Sequence, residues 1–171
     1  MSDRLNNEFL ALPDRVRWNL ERADGFLDLR LPDRAGNELD QIPDEHRRAL
    51  PYYQIRMRLA LEQERWTPAL ECASELHRQM PEEPSTWIQL AYATRRAADL
   101  PAAESILLNA IKQFPGNAMI QYNLACYECQ LGRLDKAQTF LSKAVGLDRG
   151  FKRLALEDED LEPLWEELEH D

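Results

Sequence analysis

The sequence predicts an all-α fold in which antiparallel helix pairs stack on copies of themselves. Three observations predict it. A small residue recurs at one step, with Ala35, Ala69, Ala103 and Ala137 spaced 34 residues apart, and such a period marks a repeated supersecondary unit. Further columns keep the same step: Pro81 and Pro115, Leu90 and Leu124, Ala91 and Ala125, Leu100 and Leu134, Leu107 and Leu141, Ala110 and Ala144. Within one unit, Trp87, Leu90, Ala91 and Thr94 make one helical stripe at i, i+3, i+4 and i+7, and Leu100, Ala103, Ile106, Leu107 and Ala110 make a second.

The elements follow in order. In the N-terminal segment 1–15, Leu5, Phe9 and Leu12 predict a short amphipathic helix ahead of Pro13. Four blocks then align without gaps, at 16–49, 50–83, 84–117 and 118–151. Each predicts two helices of about a dozen residues joined by a turn of a few residues, which makes the pair antiparallel. In the third block Ala98-Asp99 is the turn, and Pro101 stands in the first turn of the following helix, where a missing N–H costs no bond. Pro68 has that place in the second block and Pro32-Asp33 lies near it in the first, while Pro43 ends the second helix of that block early. Gly132 falls in the turn of the fourth block. Alanine on the facing helices of a unit lets the two backbones approach closely. Segment 152–171 predicts acidic capping helices, with Leu161, Leu164, Trp165 and Leu168 as an apolar stripe and Asp160 as N-cap. Trp18, Trp66, Trp87 and Trp165 are assigned to core and turn packing.

With Trp87 at position 4 of its block, Leu90 at 7, Ala91 at 8, Ala103 at 20, Ala110 at 27 and Pro115 at 32, the third block resembles the tetratricopeptide repeat (TPR) family. The fourth matches through Leu124, Ala125, Gly132, Ala137 and Ala144, and the second through Ala69 and Pro81. The first matches through Ala23, Phe26 and Ala35, while Arg22 and Arg56 stand at position 7, where the family has a large apolar residue. The resemblance spans roughly residues 16–149 and implies a right-handed α-solenoid, the TPR superhelix. It also implies a concave groove lined by positions 2, 5, 9, 12 and 13 of each first helix. Carried over, these give Gln54, Arg58, Leu61 and Glu62, then Ile88, Tyr92, Arg95 and Arg96, then Met119, Tyr122, Cys126, Cys129 and Gln130, with Leu20, Asp24, Leu27 and Asp28 from the first block. Apolar and aromatic anchors beside Arg58, Arg95 and Arg96 suit a protein or peptide partner that offers one apolar and one acidic residue. The carboxylate clamp of chaperone-binding TPR domains is not expected, because position 5 holds Leu20, Gln54, Ile88 and Tyr122, and Asn123 alone matches. The expected role is a non-enzymatic protein–protein interaction module. The alternative is a secretion chaperone of the translocator-chaperone kind, dimerising through its N-terminal helices; the sequence leaves self-association open.

Composition bounds the remaining classes. The 171 residues are 44% apolar with a net charge of −10. Nine acids and no lysine or arginine fall between Leu154 and Asp171, which leaves 22 acids against 21 bases in residues 1–153. A near-neutral body with no basic stripe argues against a nucleic-acid partner. No run reaches the roughly 18 apolar residues of a membrane span, and the first residues lack a secretory leader, so no membrane partner and a cytoplasmic location are expected. Cys126 and Cys129 form C-x-x-C, but mid-helix rather than at a helix start, and the further ligands of a zinc site are absent from the sequence pattern. Asp158-x-Asp160-x-Glu162 lacks the glycine of a calcium loop, and the three histidines stand at no catalytic spacing. No catalytic residue, metal or cofactor is expected.

Overall fold

The computed structural model describes residues 3–166, which are helical with no strand among them. The helices are α1 (Asp3–Ala11), α2 (Asp14–Asp28), α3 (Pro32–Asp40), α4 (Leu50–Glu62), α5 (Trp66–Gln79), α6 (Pro84–Ala97), α7 (Leu100–Gln113), α8 (Ala118–Gln130), α9 (Leu134–Leu147) and α10 (Gly150–Ala155), with 3₁₀ segments at Asp44–His46 and Glu159–Leu164. The first helices of the last three blocks begin at Leu50, Pro84 and Ala118, and the second helices of all four begin at Pro32, Trp66, Leu100 and Leu134. The chain divides into two compact units, one ending at Thr86 and one beginning at Trp87.

In the first unit, α2, α3 and α4 pack around Val16, Leu20, Ala23, Leu27, Ala35, Leu39, Ile42, Ile55 and Leu59, and α5 lies against α4. Ala23, Ala35 and Ala69 are fully covered, as the close approach of paired helices requires. Helix α1 lies against α4, with Leu5 buried and Phe9 and Leu12 packed on the core. Its Glu8 side chain accepts a hydrogen bond from the Leu50 N–H at 3.0 Å, so one helix satisfies an orphan donor at the start of another. Helix α3 stops at Asp40, well short of the lengths of α5, α7 and α9, and Pro43 opens the following 3₁₀ turn.

Arg22, the misfit of the first block, is accommodated by a buried carboxylate. Glu38 on α3 takes Arg22 Nε at 3.0 Å and the Asn19 amide at 3.0 Å, with Asn19 and Glu38 both buried. The same guanidinium lies 4.4 Å from the Trp18 ring centre. Trp18 is therefore not a core residue as the sequence predicted. It is 46% exposed and serves as a platform beneath Arg22 and Arg15.

The second unit packs α7, α8, α9 and most of α6 around Ala91, Ala103, Leu107, Ala110, Ile120, Leu124, Ala125, Ala137, Leu141 and Ala144. Asp99 caps α7 by accepting from Ala102 N–H at 2.7 Å, and Asn117 caps α8 by accepting from Ile120 N–H at 3.0 Å. The C-terminal stripe is built differently from the predicted capping helix. Helix α10 precedes the acidic turn, residues 159–164 take a 3₁₀ rather than an α-helical form ahead of the α-helical residues 165–166, and Asp158, not Asp160, is the N-cap, accepting from Asp160 N–H. Pro163 lies inside the 3₁₀ segment. Leu161 and Leu164 are buried as the stripe requires; Leu168 lies outside the described residues.

Three of the interhelical turns close in the same way. At position 15 of the first, second and fourth blocks, Arg30, Glu64 and Gly132 adopt φ of 57°, 54° and 73°. The N–H groups of Leu31, Arg65 and Arg133 return to the carbonyls of Phe26, Ala60 and Glu128, the bonding of a Schellman motif. Only glycine takes this conformation without a steric penalty. Gly132→Ala should therefore cost about 1–2 kcal/mol, whereas Glu64→Gly should stabilise by roughly 0.5 kcal/mol once the added freedom of the unfolded chain is offset. Urea unfolding of the two variants checks both signs.

Candidate functional site

First-helix side chains form a separate surface in each unit. In the first, Asp24 and Arg58, both at position 9, are one repeat apart and form an ion pair; Arg58 also reaches Asp28 at 2.8 Å. The hydrogen bond to Asp28 is the main reason that the Arg58 guanidinium holds its proton above its ordinary range. Glu62 does not pair with Arg58 four residues away. It accepts both of its bonds from Arg30, at 2.8 and 2.9 Å. The neighbouring helix pair supplies a cation at better geometry than the same helix can. Arg58 thus stands among carboxylates, and the rim of this surface is net acidic.

Beneath that rim is a cleft of about 330 Å³ between α1, α2 and α4. Leu5, Leu20, Pro51 and Ile55 form its apolar floor, Phe9 one wall, and Glu21, Asp24, Gln54 and Arg58 its mouth. Gln54, Arg58, Leu20 and Asp24 were legible from their block positions. Leu5 and Phe9 were not assigned to a site, although their i,i+4 spacing was the signal that α1 would turn an apolar face inward.

In the second unit the candidate residues separate into two groups. Tyr92 and Met119 are 42% and 43% exposed, Ile88 is partly covered, and Arg96 is exposed. Tyr122 and Arg95 are instead engaged by the chain itself. The Tyr122 hydroxyl donates to Asp158 Oδ2 at 2.7 Å and its ring lies 4.9 Å from that of Phe151. Arg95 grips Asp160 through both terminal nitrogens, one bond to Oδ1 at 2.9 Å and the other to Oδ2, and lies 5.4 Å from the Tyr127 ring centre. Gln130 Nε2 donates to the Asp160 carbonyl at 3.1 Å.

Cys126, Asp158 and Asp160 bring a thiol and two carboxylates within 4.8 Å of one another. Their chemistry is that of a hydrogen-bonded network around a guanidinium rather than a metal nest: Arg95 holds both Asp160 oxygens and Tyr122 holds Asp158. Burial, followed by the nearby aspartates, pushes the Cys126 thiol far up, away from the thiolate that a ligand or nucleophile must be. Burial raises the Cys129 and Tyr127 protons as well, Tyr127 to about 12.

One buried acid carries a pH dependence. Glu128 on α8 is covered; burial first, and then its bond to Glu104, hold its carboxyl above the usual range, with Arg133 opposing at 2.6 Å from each carboxylate. A raised folded-state pKa means the proton is held more tightly in the fold. The linked stability is full below the unfolded value of about 4.3 and is lost as pH rises through the folded one. Glu128→Gln, which imitates the protonated form, should raise the urea midpoint at pH 7 and leave it nearly unchanged at pH 4.

No helix among the described residues is long and apolar enough to cross a membrane. No protein-family model and no curated protein matches the chain. Solved structures do match in fold. A structure described as "MamA RS-1 ArsTM double mutant" superposes with a TM-score of 0.69 at 14% identity, over 80% of this chain and 76% of that one. MamA itself matches with a TM-score of 0.66 at 18% identity, over 85% and 89%. A thermophilic TPR protein of Thermus thermophilus matches with a TM-score of 0.67 at 20% identity, over 90% and 82%. The chain therefore has the TPR-like helical-repeat fold of an all-α solenoid protein.

Proposed function

We propose that the protein is a non-enzymatic interaction module that docks a peptide or helix of a partner protein on its first-helix faces. The observation that carries this reading is the cleft of the first unit, an apolar floor under a charged mouth. Such a site takes one apolar anchor and fixes its orientation through a few polar groups. Gln54, Arg58 and Glu62 belong to this face, and Ile88, Tyr92, Arg96 and Met119 offer contacts on the second unit, with Arg95 and Tyr122 behind Asp160 and Asp158. Because Arg58 is already matched by Asp24 and Asp28, the first-unit anchor peptide should carry a cation rather than the acidic residue that the sequence predicted.

Peptides selected from a random library on the intact protein provide the test. Gln54→Arg, which places a long side chain at the cleft mouth, should weaken the selected peptides at least tenfold in calorimetry. Unchanged affinity would place binding elsewhere and sink the assignment. The alternative reading, a chaperone that dimerises through its N-terminal helices, predicts a stable dimer that dissociates when residues 1–15 are removed, and light scattering on the two forms separates it from the peptide-docking reading.

A further inference from the structure

The residues that hold Asp158–Leu164 stand at first-helix positions of the repeat. Tyr122, Cys126 and Gln130 are positions 5, 9 and 13 of the fourth block, and Arg95 is position 12 of the third. All four touch the segment: Tyr122 and Cys126 at the Asp158 carboxylate, Gln130 at the Asp160 carbonyl, Arg95 at the Asp160 carboxylate. Leu161 and Leu164 complete the contact by burying against the core formed with Tyr122, Phe151 and Ala155. The segment opens with three consecutive carboxylates, of which the first and third, Asp158 and Asp160, face these residues, followed by leucine, glutamate, proline and leucine.

We propose that Asp158–Leu164 is an internal ligand of the second unit. The external partner for this face is then a peptide of the same chemistry, an Asp-x-Asp-Leu-x-x-Leu type of sequence, that competes with it. The inference rests on the reading that first-helix faces dock peptides, and it names the occupant for one of them.

Three features support exchange rather than permanent burial. The segment is a short 3₁₀ turn containing Pro163, which has no N–H to donate, so the side chains of the underlying face hold it more than its own backbone bonds do. The Arg95–Asp160 pair is partly exposed, with 26% and 29% of the two side chains accessible, so an incoming carboxylate can replace the resident one without first creating a buried, unpaired charge. Finally, an equivalent peptide can fill the Leu161 and Leu164 positions like for like. What the resident segment has in addition is its tether, which gives it an effective concentration on the order of millimolar. A free peptide making the same contacts is therefore held off until it approaches that concentration, and undocking the segment lifts the restraint.

The probe is a fluorescein-labelled peptide with the sequence of residues 156–166, LEDEDLEPLWE, added to the full chain. Two release variants are used: Asp158→Ala with Asp160→Ala, which removes the polar anchors, and Leu161→Asp, which removes the apolar one. Circular dichroism reports that each stays helical. Undocking is read from the ¹⁵N-indole resonance of Trp165, whose N–H donates to the Ala155 carbonyl at 2.8 Å in the docked state. Where the resonance shifts, the peptide should bind at least tenfold more tightly than to the unmodified chain by fluorescence polarisation. Adding Arg95→Ala should reverse the gain by at least tenfold. Undocking without tighter peptide binding would overturn the proposal. So would a Trp165 resonance that stays put in both variants, because the segment would then be a fixed part of the core. Neither failure touches the first-unit cleft, which is read separately through Gln54→Arg.

Discussion

Ala103→Arg should abolish cooperative unfolding of the second unit. Ala103 is fully buried on α7 among Ala91, Leu107, Ala110 and Leu124. A guanidinium on a long stem must displace these close-packed apolar side chains. Overpacking alone costs about 1–3 kcal/mol, and several more follow from placing a charge in an apolar core. Together these reach the whole stability of a unit of this size, roughly 4–12 kcal/mol at about 0.05–0.15 kcal/mol per residue. Thermal melting followed by circular dichroism should show a broad, early transition or none. Ser105→Arg, on the exposed side of the same helix, is the control, with a melting temperature within a few degrees of the parent. If both variants melt alike, helix pairs do not approach through their alanines as described.

The second large effect runs against the repeat pattern. Arg22 occupies the position where the last two blocks carry Leu90 and Leu124, so a reading by family pattern would expect Arg22→Leu to stabilise. The structure predicts the opposite. Glu38 is buried on α3 and takes its cation from Arg22 at 2.9 Å. Removing that cation leaves a covered carboxylate with only the Asn19 amide. Breaking a fully buried pair costs about 3–5 kcal/mol. Because the Arg22 side chain is 43% exposed, water screens part of this, and a loss of about 2 kcal/mol is expected. Replacing both members, Arg22→Leu with Glu38→Leu, removes the stranded charge and should recover most of the loss. Chemical denaturation of the two singles and the double measures the coupling. An Arg22→Leu variant as stable as the parent would mean that the pair does not hold α2 to α3.

The helix-pair architecture was readable in the chain because it depends on quantities local in sequence. The 34-residue period, the apolar stripes and the small residues at Ala91, Ala103, Ala125 and Ala137 each restrict the backbone within a few turns, and tertiary packing then agrees with them. The same holds for Pro101 and Gly132, whose backbone limits act in any context. Charge pairing was not readable. Arg58 and Glu62 stand four apart on one helix, but Asp24, Asp28 and Arg30, about one repeat away, reach them first. Arg95 reads in the sequence as a cation offered to a partner, yet it meets Asp160, 65 residues further on.

The sequence by itself therefore determined which segments become helices and which of their faces are apolar, since period and side-chain size act along one backbone. Only the tertiary structure decided which charges meet, which cations the chain itself neutralises, and where the acidic stretch around Asp158 and Asp160 lies. Those outcomes depend on distances between residues that the folded chain alone brings together.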